Sequence, residues 1–222
     1  MRWVVLTGGP NLNYDALVRE LSPDDRIICA DSGAYHAKQM CILPSKLLGD
    51  LDSIDPDTLS WIRELKIPLE VFPVEKDMTD TELCLRSIPS EHPVLLICSL
   101  TGRPDHVLSN LLLSGRLVEE GRDLTITDGS TWIYACKGPA SFRLNNRKWR
   151  TSHEREKLAV SLLPLFQEVT GVTTAGLRYA LKGRTLIPGS SFSISNAVQK
   201  NAKDIGVDFT GGTMLIMVTP AV

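Results

Sequence analysis

VLLICSLTGRPDHVLSNLLLSGRLVEE, from Val94 to Glu120, is the stretch that decides the fold. It opens on an apolar run, Val94–Leu100, of the length and composition of a buried strand. It turns through TGRPDH (Thr101–His106) and continues from Asp105 to Glu120 with Val107, Leu108, Leu111, Leu112 and Val118 at helical spacing. A further apolar run, Leu124–Thr127, follows. Strand, turn, helix and strand in this order make a β–α unit of a parallel sheet.

The same alternation extends back to the N-terminus. Trp3–Leu6, Arg26–Ala30, Lys46–Leu48 and Leu69–Val74 are short apolar runs flanked by turn residues or carboxylates, each expected to be a fully buried strand. Asp55-Pro56 predicts an N-cap with proline in the first helical position, leading into a helix over Asp57–Leu65. Thr79-Asp80-Thr81-Glu82 is a capping box opening a helix over Asp80–Ile88. After about residue 129 the pattern changes to strands and turns: Thr131–Ala135, Ser141–Leu144, Leu158–Leu163, Gly176–Leu181, Phe192–Ser195 and Met214–Thr219, with no comparable helix between them. The expected architecture is an α/β domain with a mostly parallel, Rossmann-like sheet over 1–128, followed by an all-β sandwich domain over 129–222.

The chain has 222 residues, 43% hydrophobic and 23% charged, with a net charge of −2. That balance gives no global attraction to nucleic acid or to an anionic membrane. Arg143, Arg147, Lys148, Arg150, Arg155 and Lys157 cluster around Trp149, but Glu154 and Glu156 interrupt them and Asn145-Asn146 signals a turn, so a solvated loop is expected. No stretch approaches the roughly 20 apolar residues of a membrane helix, and the N-terminal apolar run is too short for a signal peptide. The five cysteines lack CxxC or metal-finger spacing, and several lie in apolar runs, as buried thiols of a cytoplasmic protein would.

Three polar motifs stand where strands should end, the place where open α/β sheets bind ligands. GDLDS (Gly49–Ser53) sets Asp50 and Asp52 two residues apart, which in an extended segment directs both carboxylates to one side. Like charges held together call for a cation, and magnesium, a hard ion favouring oxygen ligands, is the natural one. KDMTDTE (Lys76–Glu82) adds a lysine and further carboxylates at a helix start, a combination suited to a metal-bound polyphosphate; Asp77 reads equally as a turn residue. TGRPDH adds Gly102 for close backbone approach and Arg103 for a forked phosphate contact. Asp105 reads equally as a helix cap, and His106 as a packed helix-start histidine. There is no GxxxxGK[ST] loop and no GxGxxG, which disfavours P-loop kinases and Rossmann dehydrogenases.

With ADSGAYH (Ala30–His36), these motifs in this order and spacing resemble the bacterial thiamine pyrophosphokinases, and GLRYAL (Gly176–Leu181) and SISN (Ser193–Asn196) extend the resemblance into the second domain. The resemblance implies diphosphate transfer from ATP to the hydroxyl of thiamine, and a homodimer with active sites between subunits. Carried over by position, it implies that Asp31, Asp50, Asp52 and Asp80 form the catalytic acidic cluster, with Asp50, Asp52 and Asp80 as magnesium ligands. Lys76, Asp77, Thr79, Arg103, Asp105, His106 and Asn110 would bind ATP, and Tyr179, Ser193, Ser195 and Asn196 would receive thiamine. Ser32 and Thr101 stand where the family usually has glycine, and Tyr179 where it usually has tryptophan. A metal-dependent phosphohydrolase acting through the same aspartates on water is the alternative, and a non-catalytic nucleotide sensor is a third reading.

Overall fold

The structure is a computed structural model that describes residues 1–145 and 157–221. It divides into two compact units: Met1–Leu113 with Gly121–Gly129, and Ser114–Glu120 with Ser130–Val222.

In the first unit the elements alternate: β1 (Trp3–Thr7), α1 (Tyr14–Glu20), β2 (Arg26–Ala30), α2 (Gly33–Gln39), β3 (Lys46–Gly49), α3 (Pro56–Glu64), β4 (Leu69–Val71), α4 (Asp80–Ser87), β5 (Val94–Ile97), α5 (Pro104–Glu119) and β6 (Leu124–Thr127). The strands lie in the order β6-β5-β1-β2-β3-β4, all parallel. The chain steps outward from β1 to β4, then returns to the other side of β1 as β5. The sheet therefore reverses direction between β1 and β5, and the crevice at the carboxyl ends of these strands is the favoured ligand position of such sheets. Val4, Val5 and Leu6 of β1, Leu47 of β3 and Leu96 of β5 are fully enclosed; truncating any of these leucines to alanine should destabilise the unit by about 2–5 kcal/mol.

The helix starts follow the cap chemistry. Asp55 accepts from the Thr58 N–H at 2.9 Å with Pro56 as the first helical residue, and Thr79 Oγ1 accepts from the Glu82 N–H at 3.2 Å. Glu82 directs its carboxylate to Arg86 at 2.8 Å, so only the threonine half of the capping box is seen. Two expectations are corrected. Leu69–Val74 forms only the three-residue β4, exposed along its length because it is the outermost strand beside β3. On α5 the buried residues are Ser114, Gly115, Leu117 and Val118, whereas Leu108 and Leu112 are exposed. The two seven-residue helices α1 and α2 had no sequence assignment, being too short to develop an apolar period.

The second unit adds β7 (Trp132–Lys137), β8 (Ala140–Asn145), β9 (Lys157–Pro164), β10 (Val169–Ala175), β11 (Arg184–Leu186), β12 (Asn196–Ala197), β13 (Asp204–Phe209) and β14 (Thr213–Ala221). β12-β9-β14-β7 and β11-β10-β13-β8 form two antiparallel layers. Val160, Leu162, Ile216 and Val218 from one layer, and Val169, Val172, Ile205 and Val207 from the other, are buried, as the inner faces of a sandwich must be. Strands were expected over Gly176–Leu181 and Phe192–Ser195; the first keeps only an isolated antiparallel bridge from Leu177 to Val198, the second is a turn, and β10 and β13 supply the ladder instead. Arg143 lies on β8 and pairs with Asp208 of β13 at 2.8 Å. The rest of the expected basic loop, 147–155, falls outside the described residues.

Candidate active site

The strand-end motifs converge in the first unit. A cleft of about 800 Å³ opens at the carboxyl ends of the strands, lined by Asp31, Lys76, Asp77, Thr79, Asp80, Arg103, His106 and Asn110 among others. Asp31 follows β2 with φ of +44°, a left-handed backbone that aspartate tolerates better than most residues. Its N–H bonds the Leu48 carbonyl at 2.8 Å, which ties it to the end of β3. Gly49 makes that approach possible, since a Cβ there would sit 2.9 Å from the Cβ of Asp31.

Asp50 and Asp52 do meet, but not through an extended segment. Leu51 is left-handed (φ +65°), and the turn it makes brings the carboxylates together, with the Asp52 N–H 3.4 Å from Asp50 Oδ1. Oxygens of Asp31, Asp50 and Asp52 all lie within 4.8 Å of one another. Among the described residues these three carboxylates form a group close enough to share a cation; Asp80, also expected as a ligand, has its Oδ1 3.2 Å from Lys76 Nζ. Asp31 is buried, and its Oδ1 has no hydrogen-bond partner. A buried carboxylate oxygen left unpaired is costly, and a hard divalent ion is the partner that fits it. Burial raises the Asp31 pKa, with the charges of Asp80 and Asp50 adding to the effect.

Lys76 links the first two motifs. Its Nζ donates to Asp50 Oδ2 at 2.5 Å and lies 3.2 Å from Asp80 Oδ1, at the first position of α4. That hydrogen bond holds the Asp50 carboxyl below the usual range, while burial raises Asp80. Burial alone would lower the Lys76 pKa, but its bonds to Asp50 and Asp80 outweigh it and the pKa rises. The lysine is thus firmly charged and already neutralises part of the cluster. Thr79 uses its hydroxyl as the cap of α4.

Around the third motif, Arg103 forks onto Asp105 at 2.6 and 3.2 Å, and both side chains are largely exposed (73% and 60%). That pairing lowers the Asp105 carboxyl to about 2. Asp105 is not part of the cleft lining; His106 and Asn110 are, and Asn110 also bonds the buried Cys98 thiol. Gly8, Gly9, Pro10 and Ser99 line the cleft too, at the ends of β1 and β5. They had not been singled out, although a Gly-Gly-Pro directly after an apolar strand is a signal that was there to read.

Tyr179, Ser193 and Asn196 come together in the second unit, lining a pocket of about 280 Å³ with Leu162, Leu181, Phe192 and Ile194. The Asn196 amide accepts from the Tyr179 N–H at 3.0 Å and donates to the Tyr179 carbonyl at 2.7 Å. Ser193 Oγ donates to the Leu162 carbonyl at 2.6 Å. Ser195 is left-handed, and its N–H bonds Ser161 Oγ at 2.9 Å. Tyr179 is 63% exposed, with the Arg178 guanidinium 5.5 Å from its ring centre.

Two family models match the chain in sequence: "Thiamin pyrophosphokinase, catalytic domain" over residues 18–126 and "Thiamin pyrophosphokinase, vitamin B1 binding domain" over residues 150–214. The chain belongs to the thiamine pyrophosphokinase family. A thiamine pyrophosphokinase of Bacillus subtilis (strain 168) is 26% identical over 194 residues, covering 86% of this chain and 87% of the relative. The crystal structure of a thiamine pyrophosphokinase from Bacillus subtilis superposes with a TM-score of 0.82 at 23% identity, each chain covered in full. That of the thiamin pyrophosphokinase from Candida albicans gives 0.80 at 13% identity, covering 99% of this chain and 89% of the other, so the family fold persists where the sequence has drifted far.

Proposed function

We infer that the protein is an ATP-dependent thiamine diphosphokinase, transferring a diphosphate group from ATP to the hydroxyl of thiamine to give thiamine diphosphate and AMP. The observation that carries this reading is the meeting of Asp31, Asp50 and Asp52 beside Lys76, at the cleft of a unit that the family's catalytic-domain model matches. Asp31, Asp50 and Asp52 would hold magnesium, which when bound offsets negative charge on the polyphosphate. Diphosphate transfer asks the protein mainly for positioning and charge neutralisation. Lys76 supplies a fixed positive charge next to the carboxylates, and Arg103 can exchange Asp105 for phosphate oxygens in the same forked geometry. As the thiamine oxygen bonds to the β-phosphorus, the bond to the α-phosphate oxygen breaks and AMP leaves. The hydroxyl proton then needs an acceptor. Burial makes Asp80 the stronger base of the Asp50/Asp80 pair, so Asp80 is assigned that role.

The pocket around Tyr179 is assigned to thiamine. It offers a ring face for the heterocycle and apolar walls, and the match to a vitamin B1 binding domain supports the assignment. A homodimer with active sites between subunits, and a cytoplasmic location, complete the reading. The location is supported by five cysteines without a disulfide and by the absence, among the described residues, of any helix long and apolar enough to cross a membrane.

Chromatography of nucleotides and thiamine esters after one turnover with ATP, magnesium and thiamine tests the reading. AMP and thiamine diphosphate are expected in equal amounts. ADP with thiamine monophosphate would refute the site of attack, and AMP formed without thiamine would indicate the phosphohydrolase.

A further inference from the structure

The sheet reverses direction between β1 and β5, and the loops that leave these two strands are tied together by side chains the mechanism above leaves unused. One loop, Gly8–Asn11, follows β1; the other, Ser99–Gly102, follows β5. Asn11 Nδ2 donates to Thr101 Oγ1 at 3.0 Å, a bond between residues 90 positions apart in the chain. Asn11 holds φ at +63°, a left-handed backbone that asparagine tolerates better than most residues. Thr101 lines the cleft, together with Gly8, Gly9, Pro10, Ser99 and Gly102.

Thr101 is itself held in place. Ser99 Oγ donates to the Thr101 carbonyl at 2.8 Å and accepts from the Thr101 N–H at 3.1 Å. The two hydroxyl oxygens lie 3.3 Å apart, and since the one Ser99 hydroxyl proton is committed to the carbonyl, Thr101 is the donor between them. A continuous chain of hydrogen bonds therefore runs from the Asn11 amide through the Thr101 hydroxyl to Ser99, which is buried just past the end of β5. Close packing accompanies it. A Cβ on Gly9 would lie 2.6 Å from the Cβ of Ser99, and one on Gly102 would lie 3.1 Å from Pro10 Cδ. A glycine at position 101 could make neither of the side-chain bonds.

We propose that Asn11 and Thr101 are positioning residues for the nucleotide: their bond clasps the loops after β1 and β5 at one separation, so that the cleft beside them is already shaped for the phosphates of a nucleoside triphosphate. The inference rests on the assignment of this cleft to ATP. Gly8, Gly9 and Gly102 give the two loops wide backbone freedom. With the clasp broken the loops take up other separations, and ATP must order them again at a cost in affinity. The penalty falls on ATP and not on thiamine, because both loops belong to the first unit's cleft.

The test is calorimetry of magnesium–ATP binding without thiamine, together with steady-state KM values for both substrates. The proteins compared are wild type, Asn11→Ala, Thr101→Val, Thr101→Ser and the double variant Asn11→Ala/Thr101→Val. Both side chains are exposed, so their replacement leaves folding intact. Valine keeps the branched shape of threonine and loses the hydroxyl. One lost hydrogen bond should weaken ATP affinity about fivefold in Asn11→Ala and in Thr101→Val, with the thiamine KM unchanged. Thr101→Ser keeps the hydroxyl and should bind ATP as the wild type does. The loss in the double variant should fall well short of the product of the single losses, because the same bond is missing in all three. Wild-type or tighter ATP binding in both single variants overturns the proposal. So do losses that multiply in the double variant, a serine that fails to restore affinity, and an equal rise in both KM values. Failure of the wild type itself to bind magnesium–ATP would overturn the cleft assignment as well, which separates the two failures.

Discussion

The cleft of the first unit and the pocket of the second differ in how their polar groups are satisfied. Beside the cleft the charges are incompletely matched: Asp50 and Asp52 crowd against the cleft-lining Asp31, Lys76 is shared between Asp50 and Asp80, and Asp31 Oδ1 is buried without a hydrogen-bond partner. In the pocket the polar groups are already engaged. Asn196 is bonded at both ends to the Tyr179 backbone, and Ser193 to the Leu162 carbonyl. A cation would relieve the first arrangement, whereas the second holds its shape alone and offers a ring face and apolar walls. A site for charged groups stores unfavourable electrostatics that the ligand relieves, and a site for a heterocycle stores shape.

The largest effect should come from removing charge from the cleft. Asp50→Asn, Asp52→Asn and Asp80→Asn are each expected to fold normally and lose a hundredfold or more in turnover, about 3 kcal/mol of transition-state stabilisation. Near-normal kcat in all three at saturating magnesium would remove the contrast between the two sites. The pocket should respond more gently and only toward thiamine. Asn196→Ala leaves the Tyr179 N–H and carbonyl without their partner, so the ring should lose its setting and the thiamine KM rise about tenfold, with the ATP KM unchanged. A change confined to ATP would reverse the roles of the two units.

The smallest effect, and the most diagnostic of stored charge, is on thermal stability. Because folding raises the Asp31 pKa, keeping that group ionised weighs against the fold at neutral pH. The burden is present above its raised folded pKa and disappears as pH falls through that value toward the unfolded one. Magnesium should therefore raise the melting temperature by a few degrees at pH 7.5, and the gain should shrink as pH is lowered and protons compete for Asp31. Asp50 runs the other way. Its folded pKa is depressed, so its contribution with Lys76 is present at neutral pH and is lost only as pH falls below the unfolded value, near 4. A magnesium-induced shift independent of pH, or its persistence in Asp31→Asn, would show that the ion binds elsewhere.

Much of this was legible in the sequence. Each strand-end motif lies next to an apolar run, and the caps at Asp55 and Thr79 mark their helices to within a residue or two, because these signals are local: one side chain, one nearby N–H. In the second unit locality misled. β13 reads Asp204-Ile-Gly-Val-Asp-Phe with Ile205, Val207 and Phe209 buried, an alternation available to inspection but short and interrupted by a glycine. Along β10 the register shifts between Val169 and Val172, which obscures the period.

Local residue types and spacing were enough for the division into a parallel α/β part and an antiparallel part, for the carboxylates at strand ends and for the family, since all of these are written in neighbouring residues. Only the fold shows that Asp31 comes up to Asp50 and Asp52 and that Lys76 stands between Asp50 and Asp80. Those partnerships join residues from different strands and helices. Which oxygen meets which nitrogen is fixed by strand order, by a glycine that lets two backbones approach, and by two left-handed residues, Asp31 and Leu51.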